Sequence, residues 1–270
     1  MDQASFDFKA CFIGIGGKGQ EIGQCVNIEF KELIKCFQKY REDDPDLFAE
    51  NETPLLTVIL PNEDRYKPIP DLSNRDIIFL LGSQQDSFFW ATREKLISEN
   101  MCSFLFTLVL LGTGDMACRV QSSTNEAIIF FEKKDGERKI TQFMKDMCRV
   151  WIFPRLLSRD FSDMKQALSS TTGRYLFFES QPTEYLPNFR QFLSGNIDTI
   201  KRASDVFYIA SSNLGDGFSI PKHLHPIIDE IEKLTNSECS VIGGDALYAE
   251  SESAFGVTMI CSEKMIRGHV

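Results

Sequence analysis

Apolar positions in the chain fall into two patterns. Short, nearly unbroken apolar runs at residues 10–15 (ACFIGI), 55–60 (LLTVIL), 76–81 (DIIFLL), 102–111 and 127–131 (AIIFF) predict strands buried on both faces. Between them, Ile22, Val26, Phe30, Leu33, Ile34 and Phe37 recur at spacings of three and four and predict a helix over 20–40. Residues 88–100 and 138–151 read as further helices, the second stopped near Pro154. Residues 41–54 and 61–71 are polar and proline-bearing and read as loops, and 112–125 is mostly loop. This order predicts a mostly parallel sheet covered on both faces, an α/β architecture. The later chain is a smaller α+β layer, with helices over 161–170, 186–203 and 223–234 and strands over 174–178, 206–210, 239–242 and 255–261. The expected organisation is a Rossmann-like parallel-sheet domain over 1–152, including the helix that ends at Trp151, then a smaller α+β domain over 153–270.

With 43% apolar and 25% charged residues in 270, the chain has the composition of a soluble globule. A formal charge of −10 and no dense Lys/Arg run argue against a nucleic-acid partner. The eight cysteines include no C-x-x-C pair, so a zinc ribbon has no support and no metal is expected. Reduced core thiols are expected instead, and they place the chain in the cytoplasm. The start, MDQASFDFKA, lacks the basic and apolar regions of a signal peptide. The longest apolar run, 104–111, is far short of the ~20 residues that span a bilayer, so no membrane insertion is expected.

Candidate chemistry begins at a glycine-rich turn. Gly14, Gly16 and Gly19 form G-x-G-x-x-G with an additional Gly17, after a predicted strand and before a predicted helix. In that context backbone amides and a helix N-terminus can cradle phosphate, and Lys18 would add positive charge. A tight strand-to-helix turn that binds nothing accounts for the same glycines. A dinucleotide site also needs an acid at the end of the second strand, ~20 residues on. Here that strand ends near Leu60, roughly twice as far, so NAD or FAD ranks behind other ligands. The His223-Leu224-His225 pair lacks a third metal ligand, and no G-x-S-x-G elbow exists.

Three stretches resemble the tubulin/FtsZ superfamily, and FtsZ more than tubulin. FIGIGGKGQEIG (12–23) is similar to its first phosphate-side loop, IGVGGGGSNAV. LSRDFSDMKQAL (157–168) is similar to the synergy loop and following helix, VNLDFADVKTVM, with Asp160, Phe161 and Asp163 in place. CSVIGGDALYAESESAFGVTMIC (239–261) resembles the closing strands, and DIIFLLG (76–82) the strand before the main phosphate loop. The resemblance implies a GTP-binding domain joined by a central helix to an activation-type domain, with subunits stacked head to tail. It implies GTP or GDP as ligand at Gly14, Gly16, Gly17, Lys18, Gly19 and Gly82. It also implies that Asp160 and Asp163 polarise water at the neighbouring subunit's GTP; helix capping is the plain alternative for both.

The departures shape the expected function. Where the family has GGGTGTG, this chain reads GSQQDSFFWA (82–91): one glycine, an acidic Asp86, and bulky Phe88, Phe89 and Trp90. Residues 61–74, where another glycine-bearing ligand loop belongs, contain no glycine. The leading reading is therefore an FtsZ/tubulin-like cytoskeletal or regulatory protein acting through stacking surfaces, with no cofactor and little or no GTP hydrolysis. Its partner would be itself, in an oligomer or filament, or an FtsZ/tubulin-like filament. A divergent GTPase that polymerises head to tail is the alternative, and a dinucleotide-binding protein using the Gly14–Gly19 turn is the third.

Overall fold

The computed structural model describes residues 9–43, 55–60, 72, 75–112, 120–132, 135–152, 161–180, 184–213, 224–248 and 255–263. Strand β1 (Lys9–Gly14) leads into α1 (Gly16–Asp43), then β2 (Leu55–Ile59), β3 (Arg75–Ser83), α2 (Ser87–Ser98), β4 (Cys102–Leu110), β5 (Glu126–Phe131) and α3 (Gly136–Ile152). There follow α4 (Phe161–Leu168), β6 (Thr171–Ser180), α5 (Tyr185–Gly195), α6 (Ile197–Arg202), β7 (Ala203–Asn213), α7 (His225–Glu232), β8 (Ser240–Tyr248) and β9 (Phe255–Glu263). Among the described residues, the nine strands form one sheet in the order β2-β1-β3-β4-β5-β6-β9-β7-β8. Pairings from β2 through β6 are parallel, as the apolar runs predict. Strand β9 enters antiparallel between β6 and β7. The expected join at 152/153 falls between α3 and α4, and the sheet continues past it because β6 pairs with β5.

Two expectations need correction. The single helix expected over 186–203 is two helices, because Asn196 closes one and opens the next. Its N–H donates to the Leu193 carbonyl (3.1 Å), its side-chain amide donates to the Phe192 carbonyl (2.8 Å), and its own carbonyl accepts from Thr199 and Ile200. The preceding Gly195 is a poor helix residue and makes the break cheap. Strand β3 does not close at Gly82 but runs one residue further, where Ser83 pairs with Leu110.

Side chains of the parallel strands alternate between two layers, as period-two geometry requires. Phe12, Phe79 and Phe106 lie opposite one another on neighbouring strands and face α1 and α3. Ile13 and Leu80, one residue on, and Val109, three residues after Phe106, face α2. On α3, Phe143 meets edge-on the rings of Phe79, Phe106, Phe131 and Tyr175, at centroid distances of 6.4, 5.5, 5.8 and 5.6 Å. One turn later Asp146, also buried, accepts hydrogen bonds from the Thr258 hydroxyl on β9 and the Gln142 amide. The neighbouring Tyr175 phenol is held well above its usual pKa, first by burial and then by the Asp146 charge, and so stays neutral.

Helix α2 covers the opposite face. It ends in a Schellman turn: Asn100 takes φ 52°, its N–H donates to the Ile97 carbonyl, and the Met101 N–H donates to that of Leu96. It is anchored by a buried ion pair that no sequence pattern announced. Arg93 Nε and Nη2 each donate to Glu126 at 2.6 Å, and Thr107 Oγ1 and the Ser123 N–H supply the carboxylate's remaining partners at 2.5 and 2.8 Å. Such a pair adds little over an apolar substitute, but breaking it strands a charge. Glu126→Gln is expected to lower unfolding free energy by about 3–5 kcal/mol, measured by urea denaturation.

In the later chain, α5, α6 and α7 cover one face of β6, β9 and β7 through Phe189, Ile200, Ile227 and Ile231. Glu230 of α7 accepts from Arg190 of α5 at 2.9 Å and from Lys233 at 2.7 Å, and these bonds pull its pKa down to about 2. A carboxylate held below its unfolded value stabilises the fold above that value and loses the contribution as pH falls through the native one. Glu230→Gln should therefore be less stable than wild type at neutral pH, by at most about 1 kcal/mol given the exposed cations. That deficit should shrink between the unfolded value of 4.5 and about pH 2, read from melting temperatures across pH. Among the described residues, no helix is long and apolar enough to cross a membrane.

Candidate functional site

Strands β1 and β3 are neighbours, but the chain leaves them in opposite directions: α1 carries it to β2 on one side, and α2 carries it to β4 on the other. Between such strands a parallel sheet opens a crevice at their carboxyl ends, where α/β proteins place their ligands. The Ile15 N–H donates to the Leu81 carbonyl at 2.8 Å and draws the two strand ends together. The start of α1 and the start of α2 thus lie side by side. The glycine turn, Gly82 and Asp86 all fall there, as the sequence pattern placed them.

Four of these five glycines have an identifiable physical cause. A methyl group on Gly14 would lie 2.1 Å from the Gly19 carbonyl oxygen, and one on Gly19 would lie 2.7 Å from the Gly14 carbonyl carbon. These two are required because backbone touches backbone. Gly16 has φ +74°, in the left-handed region. Gly17 is exposed, and a methyl there meets nothing within 4 Å. A methyl on Gly82 would lie 2.3 Å from the ring of Phe89, so Gly82 makes room for that ring.

The charged groups are already engaged. Lys18 Nζ pairs with Glu137 at 2.5 Å, across to the first turn of α3, and with Glu21 at 2.6 Å. Hydrogen bonds to Glu137 and then Glu21 hold its pKa above the ordinary lysine value. Asp86 is the N-cap of α2: its Oδ1 accepts the Phe88 N–H at 2.9 Å and the Phe89 N–H at 3.4 Å. Its Oδ2 faces the first residue of α1, 3.6 Å from where a methyl group on Gly16 would sit. Only Gln84–Asp86 forms the turn between β3 and α2. Of the bulky residues after it, Phe89 is fully buried and Phe88 and Trp90 are half-buried. Trp90 Nε1–H donates to the Gln84 carbonyl at 2.7 Å, and the Arg93 guanidinium lies 5.8 Å from its ring centre.

The structure places Gly14, Gly16, Gly17, Lys18, Gly19 and Gly82 near the carboxyl ends of β1 and β3. Asp163 lies in α4, while Asp160 and most of 61–74 lie outside the described residues. His225 opens α7, and His223 is outside the described residues. Among the described residues no group of three or more His, Cys, Asp or Glu is placed to hold a metal ion. The sequence pattern missed the Lys18–Glu137 pair, which joins residues 119 positions apart, and the filling of Gly82 by Phe89, which depends on how α2 packs back onto β3. Asp86 did carry one, as an acid immediately before an apolar helix start.

The same arrangement of sheet and helices occurs in solved structures of other proteins. An FtsZ dimer from M. jannaschii matches at TM-score 0.63 over 96% of this chain and 89% of that one, at 9% identity. TubZ of Bacillus thuringiensis serovar israelensis, as GDP-form protofilaments, matches at 0.60 over 97% and 88%, at 11% identity. CetZ from Methanosaeta thermophila matches at 0.58 over 96% and 87%, at 10% identity. The chain has the tubulin/FtsZ-like fold. No protein-family model matches the sequence, and no curated protein matches it.

That fold family implies a guanine nucleotide, and the described side chains do not fit its phosphates. A carboxylate faces the crevice, a phenyl ring takes the room beside Gly82, and the lysine is committed to two glutamates. The glycine assignments separate cleanly by substitution. Gly14→Ala and Gly19→Ala should each cost about 1–3 kcal/mol or more through overpacking. Gly17→Ala, inside a helix and in open space, should be neutral or stabilising by up to about 1 kcal/mol. Chemical denaturation of the three variants distinguishes these outcomes.

Proposed function

We propose that this protein acts by assembly, through the stacking surfaces of a tubulin/FtsZ-like fold, with little or no GTP hydrolysis. The carrying observation is a contrast. The fold matches nearly the full length of FtsZ, TubZ and CetZ structures, while the crevice between α1 and α2 is faced by the chain's own carboxylate. Two such structures, an FtsZ dimer and GDP-form TubZ protofilaments, are assemblies. Carrying assembly over to this chain is an argument from fold, since fold alone does not fix function. The partner is a second copy of the chain or an FtsZ/tubulin-like filament. Asp160 and Asp163 then serve as contact residues at the stacking surface rather than as water-polarising acids.

The test begins with the purified full chain, denatured and chromatographed for released nucleotide, followed by phosphate release from added GTP over a range of protein concentrations. The expected result is no stoichiometric nucleotide and a flat rate, alongside concentration-dependent sedimentation that weakens when Asp160 and Asp163 are both changed to Ala. Stoichiometric GDP or GTP, with turnover rising with protein concentration, would establish the divergent polymerising GTPase instead. The exposed, unencumbered Gly17 is the one observation that favours that second reading.

A further inference from the structure

We infer that Asp86 is a built-in stand-in for a bound anion: its carboxylate keeps phosphates out of the β1/β3 crevice, and a neutral residue at 86 opens the crevice to them. This rests on the proposed reading that the fold persists with its phosphate side disabled, and it names the side chain responsible. Two features make the position one where an anion would otherwise be welcome. The N-termini of α1 and α2 converge there, each carrying the positive end of a helix dipole. The backbone over Gly16 and Gly17 also has room, since Gly17 faces open space. One carboxylate caps α2 and lies close to the first residue of α1. Oδ1 takes two N–H groups of α2, and Oδ2 is turned toward Gly16 of α1.

A phosphate approaching Gly16 and Gly17 would meet that negative charge at close range. Lys18 is drawn toward Glu21 and Glu137, whose carboxylates add further negative charge beside it. The charge at residue 86 is what a phosphate over Gly16 and Gly17 meets, while the room beside Gly82 is taken separately by the Phe89 ring.

The test uses the full chain with Asp86→Asn, Asp86→Ser and Asp86→Glu, titrated calorimetrically with sodium tripolyphosphate at low and high salt. Asn and Ser both cap helices well, so α2 retains an accepting side chain at its start. Wild type and Asp86→Glu are expected to bind weakly or not at all. The two neutral variants should bind about tenfold tighter or more, with the gain shrinking as salt rises. Neutral variants that melt like wild type yet gain nothing would overturn the inference. So would an equal gain in Asp86→Glu, which would make the effect one of loosened packing, or wild-type binding as tight as that of Asp86→Ser. Should Asp86→Ser fold poorly, Asp86→Asn alone decides. Wild-type sedimentation in the same preparations keeps the two proposals separate. An assembling protein whose neutral variants ignore tripolyphosphate defeats only this inference. A monomeric one whose neutral variants bind supports it and defeats only the assembly reading.

Discussion

Phe143 meets aromatic rings from β3, β4, β5 and β6, and much of the sheet's cohesion on that face passes through this one side chain. A parallel sheet buried on both faces has no solvent to satisfy a misplaced group, so its helices must dock in fixed registers. The aromatic cluster sets one register for α3, and Asp146 sets it again a turn later by taking the hydroxyl of Thr258 on β9. The two contacts differ in kind. Aromatic packing tolerates some sliding, whereas a buried carboxylate must keep its hydrogen bonds. Together they tie the strands before α3 and those after it to a single helix.

On the opposite face α2 is fixed by different means, and the candidate site follows from that choice. Phe89 enters the space left by Gly82, and Arg93 reaches down to Glu126 at the start of β5. Both contacts pull α2 close to the sheet, leaving a turn of only Gln84–Asp86 between strand and helix. A turn that short ends directly in the helix cap, Asp86. The same packing that stabilises α2 thus delivers a carboxylate to the crevice.

Much of the fold was legible in the sequence because its strands are apolar on both faces and need no tertiary context to be seen. Helix α1 was equally plain from its spacing of three and four. Where the pattern failed, a local residue overrode periodicity: Asn196 splits one apolar-periodic stretch in two, and Gly82 reads as a breaker although it lies inside β3. The site was legible in its location but not in its wiring. The glycines and Asp86 sit where strand-to-helix turns were expected. That Lys18 spends its charge on Glu137, 119 positions away, is a consequence of how α1 and α3 meet and is written nowhere near either residue.

The contact between Gly14 and Gly19 bears on how such motifs are interpreted. Each glycine exists because the other's backbone leaves no room for a side chain, so the pair is self-justifying. Selection for stability alone would hold both in place, whatever the crevice does or does not bind. In this protein a G-x-G-x-x-G signature reports a tight strand–helix junction, and information about a ligand resides elsewhere, in the residues that face the open side of the turn.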